Sequence, residues 1–309
     1  MPTSNKYVVN VPVATLWTKP ESARDIDKEA TTKPLNIEAW LTKMDYDNRL
    51  DLCEANRVQS QVLFGQAVQV LEESGVWAKV VVPEQPSKKD ERGYPGWIPV
   101  CQLTPDADWD LANGPVAVVN SGKAILYSSG REPVMELSYQ TILPLQEKGS
   151  EYITVKTPDG IGLLKAEDVS MRTGIDNRRK GNGQDIVEAG KQFLGLPYLW
   201  GGMSSYGYDC SGFSYSVCRA NGYTIPRDAH EQADAGAEIE LDKIQPGDLL
   251  FFAYEDGKGS IHHVGIYYGD GKLLHSPKTG KTVEIIDLEG TIYEKELCAA
   301  SRYWQETEE

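Results

Sequence analysis

The sequence predicts a multidomain protein in which two small all-β barrels are followed by an α+β domain. Three observations predict this. Two stretches repeat one strand-and-turn design, a polar basic segment interrupts the chain after them, and helical periodicity followed by alternating strands fills the rest. At 309 residues the chain exceeds the usual size of one compact domain.

In the first repeat VNVPVATLWTKP is followed, after a long gap, by VLFGQAVQVLEESGVWAKVVVPE and GYPGWIPVCQL. Ala67, Val68, Val70 and Trp77, Val80, Val82 flank the turn Glu73-Ser74-Gly75 and read as short antiparallel strands. The second repeat, from VVNSGKAILYSSG to ITVKTPDGIGLLKAEDV, places Ile142, Leu143, Leu145 and Tyr152, Ile153, Val155 around Lys148-Gly149-Ser150. The first barrel therefore spans 1–104 and the second 105–170. An insertion at about 21–57 interrupts the first, with Ile37, Trp40, Leu41 and Met44 at helical spacing after the cap Asn36. It must pack on its own barrel or on a neighbouring domain. MRTGIDNRRKGNGQ, 171–184, reads as a linker, which leaves 185–309 as the third domain.

There, Ile186, Val187, Gly190, Phe193 and Leu194 share a helical face closed by Gly195. Asp209 caps a second helix whose apolar stripe is Cys210, Phe213, Val217 and Cys218, ending at Asn221-Gly222. PGDLLFFA, HVGIYYGD and GKLLHS read as an antiparallel meander with a tight turn at Gly269-Asp270-Gly271.

Charge and cysteine usage narrow the function. A formal net charge of -15 opposes polyanionic partners, so neither nucleic acid nor an anionic membrane surface is expected. MPTSNKYVVNVPVATLWTKP lacks a continuous apolar leader core, and no other stretch is apolar enough to span a bilayer. Five cysteines without a CxxC pair indicate neither a disulfide framework nor a zinc site; with no HxxxH or carboxylate pair, no metal is expected. A reduced cytoplasmic chain fits, with a secreted protein as the alternative.

Cys210 is either packed core or a nucleophile. At the first turn of its helix the unpaired backbone N–H groups and the dipole favour a thiolate. A thiol nucleophile needs a base, and the base needs an orienting partner. His263 and His275 lie on the two arms of the predicted hairpin, within a residue or two of being opposite. Alternation sends His262 to the other face, and His230 falls on a separate exposed helix. Without a catalytic role the histidine pair is a simple cross-strand contact.

In their order and spacing, YLWGG, YDCSGF, IPRDAHEQ, PGDLLFF and HHVGIYYGDGKLLHS resemble the NlpC-type papain-like cysteine peptidases that cut bacterial cell-wall peptides. The resemblance covers about 180–305. It implies Cys210 as nucleophile, His263 as base, His275 as its orienting partner and Tyr198 as a contact to the tetrahedral intermediate, with no cofactor. The two barrels resemble bacterial SH3 domains. The whole arrangement is similar to the γ-D-glutamyl-L-diamino acid endopeptidases that process murein peptides in bacilli.

Asp228 departs from the Thr or Ser common at its position in that family. It is either the N-cap of a capping box closed by Glu231 or a carboxylate for the free amine of L-Ala in the substrate. Ser211 is a candidate contact for the γ-D-Glu carboxylate. Glu54 is a second candidate carboxylate or solvated surface, and Tyr94 is barrel core or a wall of the substrate pocket. The expected activity is release of L-Ala-γ-D-Glu from short murein peptides during recycling. The rivals are a secreted endopeptidase whose SH3-like units bind intact wall, and an inactive murein-binding module.

Overall fold

The computed structural model describes residues 5–106, 109, 111–175 and 177–305. The first four residues of the segment read for a leader, and Asp176 of the expected linker, lie outside them. The chain divides into two compact units. One comprises Met1–Glu84, Arg92–Asn177 and Ser204–Tyr206, the other Gln85–Glu91, Arg178–Met203 and Gly207–Glu309.

The first unit holds both β repeats. Strands β1 (Lys6–Val9), β2 (Val13–Trp17), β3 (Val58–Leu63), β4 (Ala67–Ser74), β5 (Trp77–Val82), β6 (Tyr94–Pro99) and β7 (Leu103–Pro105) form a sheet in the order β3-β2-β6-β5-β4-β1-β7. Strands β8 (Pro115–Val119), β9 (Lys123–Tyr127), β10 (Pro133–Ser138), β11 (Ile142–Glu147), β12 (Tyr152–Thr157), β13 (Gly160–Lys165) and β14 (Val169–Thr173) form another in the order β10-β9-β13-β12-β11-β8-β14. The second order repeats the first strand for strand, so the internal repeat extends from sequence pattern to topology. Among the described residues each ladder runs from one edge strand to another without closing. Each repeat therefore forms one seven-stranded sheet.

Alternating apolar residues face each sheet's own core. Val9, Leu16, Val68, Val80, Tyr94 and Ile98 fill the first; Leu126, Leu137, Leu143, Ile153, Val155 and Leu164 fill the second. Met171–Thr173, expected in the linker, are strand, because β14 pairs with β8 from Val169↔Val119 to Thr173↔Pro115.

The insertion contains the short helices α1 (Lys28–Thr31), α2 (Ile37–Lys43) and α3 (Tyr46–Glu54). The Asn36 side chain accepts from the Ala39 N–H at 3.0 Å, as the cap reading requires. The insertion packs on its own sheet: Trp40 meets Trp17 of β2 with ring centroids 6.2 Å apart. The Trp40 indole N–H donates to Asp27 Oδ1 at 2.8 Å, and Arg24 binds Asp27 and Asp51. That pairing satisfies the buried Asp27 carboxylate.

The second unit contains α4 (Gly183–Lys191), β15 (Met203–Ser204, of which Ser204 belongs to the first unit), β16 (Gly207–Tyr208), α5 (Cys210–Ala220), α6 (Ala229–Ala235), β17 (Ala237–Glu238), β18 (Leu249–Ala253), α7 (Tyr254–Gly257), β19 (Ile261–Gly269), β20 (Lys272–His275), β21 (Glu284–Asp287), α8 (Ile292–Glu296) and β22 (Leu297–Arg302). A six-stranded sheet runs β17-β22-β18-β19-β20-β21. α4 and α5 pack against β19 and β20, where Phe193, Tyr208 and Phe213 make edge and tilted ring contacts. Asn182 and Asp185 form a capping box at the start of α4. This is the helix-then-sheet α+β domain expected from the sequence.

Candidate active site

The nucleophile candidate is placed by its helix start. Asp209 Oδ1 accepts from the Gly212 N–H at 2.7 Å, and Oδ2 accepts from the Gly201 N–H at 2.9 Å. One carboxylate thereby fixes both the helix start and the loop before it. Arg227, 1% exposed, completes the arrangement by donating to Asp209 Oδ1 and Oδ2 at 3.2 and 2.6 Å and to Ser211 Oγ at 2.8 Å. The residues on either side of Cys210 are thus held by one buried guanidinium.

Helix position had favoured a thiolate, but the surroundings oppose it. Burial, and then the Asp209 carboxylate, push the Cys210 thiol up to about 12, while the backbone amides of Val264 and Ser211 act in the opposite direction. Desolvation outweighs the helix end because few partial charges replace the lost water. Val264 follows His263 directly, so this backbone contact sets the sulfur against the strand that carries the base candidate.

The hairpin brings the two histidines together. β19 and β20 pair through Ile266↔Leu274, Tyr267↔Leu273 and Gly269↔Lys272, across a turn in which Asp270 and Gly271 have φ of 50° and 72°. Continuing that ladder sets His275 opposite Gly265, diagonal to His263 on the same face. A side chain at Gly265 would crowd His275: a Cβ there would lie 2.6 Å from Leu273 Cδ1 and 3.0 Å from His275 Cβ. His263 Nε2 meets His275 Nδ1 at 2.8 Å.

Both rings are buried. Burial, then the neighbouring His275 and His262, lower the proton affinity of His263 well below the ordinary imidazole value; burial brings His275 down to about 4. A raised thiol and a lowered imidazole both favour the neutral form of the pair. Since Nε2 of His263 is taken by His275, Nδ1 is the nitrogen left for Cys210.

Sequence reasoning missed Tyr293 of α8, whose ring centroid lies 5.1 Å from that of His263 and 4.9 Å from that of His275, edge-on to the latter. His262 leaves this face and stacks on Tyr254, with its Nε2 3.1 Å from Glu296 Oε2. His230 is exposed.

Tyr198 is buried, bridges Tyr208 just before the nucleophile, and donates its N–H to Lys281 O at 2.9 Å. Ser211 is also buried, with its hydroxyl bound to Arg227. Asp228 stands at the N-cap of α6, yet its side chain makes no cap bond, so the capping-box reading is corrected. Glu231 instead accepts from the Lys88 N–H at 2.9 Å, and Lys89 Nζ lies 3.0 Å from Asp228 Oδ2. Arg227 and Lys89 also went unread in the sequence. The Pro226-Arg227-Asp228 stretch held a signal for the former; nothing local marked the latter. Glu54 and Tyr94 lie in the other unit, Glu54 exposed at the end of α3 and Tyr94 buried in the first sheet's core. Among the described residues no cluster of histidine, cysteine and carboxylates is arranged to hold a metal.

A profile described as the NlpC/P60 family matches residues 195–302, and one described as the YKFC SH3b2 domain matches 119–171. The gamma-D-glutamyl-L-lysine dipeptidyl-peptidase of Bacillus subtilis (strain 168) is 50% identical over 294 residues, 95% of this chain and 97% of that protein. The chain belongs to the NlpC/P60 family. It is a cysteine peptidase of that family, a multidomain protein carrying an SH3b domain beside its NlpC/P60 domain. The gamma-D-glutamyl-L-lysine dipeptidyl-peptidase of Bacillus cereus is 40% identical over 303 residues, 97% of this chain and 91% of that protein. A crystal structure of an NlpC/P60 family protein from Bacillus cereus ATCC 10987 superposes with a TM-score of 0.93 at 40% identity, covering 97% of this chain and all of that one. The NlpC/P60 match includes Tyr198, Cys210, Ser211, Asp228, His263 and His275; Glu54 and Tyr94 lie outside both profile matches.

Proposed function

We propose that this NlpC/P60 peptidase hydrolyses the bond between γ-D-Glu and the diamino acid of short murein peptides with a free N-terminal L-Ala, releasing L-Ala-γ-D-Glu. The bond specificity is supported by the two relatives that align along nearly the whole chain, both gamma-D-glutamyl-L-lysine dipeptidyl-peptidases. Cys210 Sγ attacks the γ-carbonyl carbon while His263 Nδ1 takes the thiol proton, because a neutral pair must move that proton during attack. The same proton passes to the departing amine as the C–N bond breaks. Water then attacks the thioester with His263 as base, the dipeptide leaves and the thiol is restored. The Cys210 N–H and Tyr198 stabilise the oxyanion.

The single observation that carries amine recognition is at Asp228. Its carboxylate makes no cap bond and already pairs with an ammonium, that of Lys89. A substrate α-ammonium has the same charge and donor geometry and would exchange with it. In this reading Ser211 helps receive the γ-D-Glu carboxylate beside the Arg227 guanidinium. The net charge of -15 favours short peptides in the cytoplasm over an anionic wall.

The experiment compares L-Ala-γ-D-Glu-diaminopimelate with its N-acetylated form. Acetylation should lower kcat/KM on the order of a hundredfold, since a neutral amide cannot take the place of the Lys89 ammonium at the Asp228 carboxylate. Asp228→Asn should narrow that gap by harming the free peptide. Equal rates on both peptides would refute amine recognition.

A further inference from the structure

Strand β21 places a carboxylate beside the histidine pair. β20 and β21 pair through Leu273↔Ile286, Leu274↔Ile285 and His275↔Glu284, so Glu284 stands directly across from His275 on the edge strand of the sheet. His275 Nε2 is buried and makes no hydrogen bond, and Glu284 Oε1 lies 3.7 Å from it. The Glu284 side chain is 36% exposed, so rotation about its own χ angles closes the remaining gap. A fully buried imidazole nitrogen left unsatisfied is costly, and a carboxylate at its side supplies the one acceptor it lacks.

We propose that Glu284 is a positioning residue for the peptidase reaction: its carboxylate holds the proton of His275 on Nε2 and thereby keeps His263 in the tautomer that accepts a proton from Cys210. The proposal rests on the Cys210–His263–His275 reading above. A neutral imidazole carries one proton. With that proton on Nε2, His275 Nδ1 is an acceptor and His263 Nε2–H must donate across the 2.8 Å contact. His263 Nδ1 is then bare and able to take the thiol proton. Without Glu284 the His275 proton can move to Nδ1, His263 becomes the acceptor, and its own proton shifts to Nδ1, where it blocks base catalysis. Loss of the correct tautomer is the same failure that follows removal of the carboxylate in a Ser-His-Asp triad.

Neighbouring groups do not supply this function. Tyr293 presents its ring to both imidazoles; His262 on β19 faces Glu296; Asp209, before Cys210 on α5, is paired with Arg227. Burial dominates the proton affinity of His275, so the carboxylate selects its tautomer without charging it.

The test combines kinetics and nitrogen NMR on the full chain. Glu284→Leu and Glu284→Gln should lower kcat on the order of tenfold or more at unchanged KM. The ¹⁵N shifts of His263 should move from the Nε2–H to the Nδ1–H pattern. In a His275→Gln background, where an amide oxygen accepts from His263 without needing Glu284, the same substitutions should change kcat little. Wild-type kcat with unmoved imidazole shifts, or an equal loss in both backgrounds, would overturn the proposal. Retained activity in His263→Ala would instead overturn the catalytic reading on which it rests.

Discussion

A histidine buried without charge makes stability depend on pH. His275 is held near 4 in the folded chain, whereas an unfolded histidine titrates near 6.5. Below pH 6.5 the unfolded chain binds a proton that the folded chain refuses, so stability falls as the pH drops through this window and is complete above it. The difference corresponds to about 3 kcal/mol. His275→Gln should therefore lose less stability than the wild type between pH 6.5 and 4, as measured by urea unfolding at each pH; parallel pH profiles would contradict the buried neutral imidazole. At this scale the sequence exposed Cys210, His263 and His275 through their motif order. It did not expose the direction of the thiol shift, because helix position is local information and burial is not. The Asp228 cap failed for a related reason: Asp-Ala-His-Glu satisfies the local pattern, but Glu231 is taken by a segment far away in sequence.

The hairpin β19–β20 was legible as an element, from its alternation and its Gly-Asp-Gly turn; its register was not, because a bulge between Tyr267 and Gly269 shifts the pairing by one residue. Gly265 shows what that register demands. Gly265→Ala would press a methyl group against Leu273 and His275. It should cost about 1–3 kcal/mol in stability. It should also lower kcat under conditions where the variant stays fully folded, by parting the imidazoles. Thermal unfolding and single-turnover rates check this together, and unchanged turnover would show that the 2.8 Å contact is dispensable. The partner of His275 on β21 was not legible. Residues 276–283 separate the two strands, and a connection that long leaves the pairing of Glu284 undetermined by sequence.

Across the whole molecule, the repeat was readable because the same alternation and turn chemistry occur twice, and the strand orders agree. The compact units were not. Gln85–Glu91 follows a strand of the first sheet yet belongs with the peptidase unit, where Pro86 O accepts from the Arg227 N–H and Lys88 and Lys89 meet Asp234 and Asp228. A polar loop with two lysines carries no sign of such partners. The central claim is that one thiol cuts one bond. Mass spectrometry of purified protein acting on L-Ala-γ-D-Glu-diaminopimelate tests it most directly. The account predicts L-Ala-γ-D-Glu and free diaminopimelate as the products, with none formed by a folded Cys210→Ala variant. Cleavage at the L-Ala bond, or undiminished turnover by that variant, would contradict it.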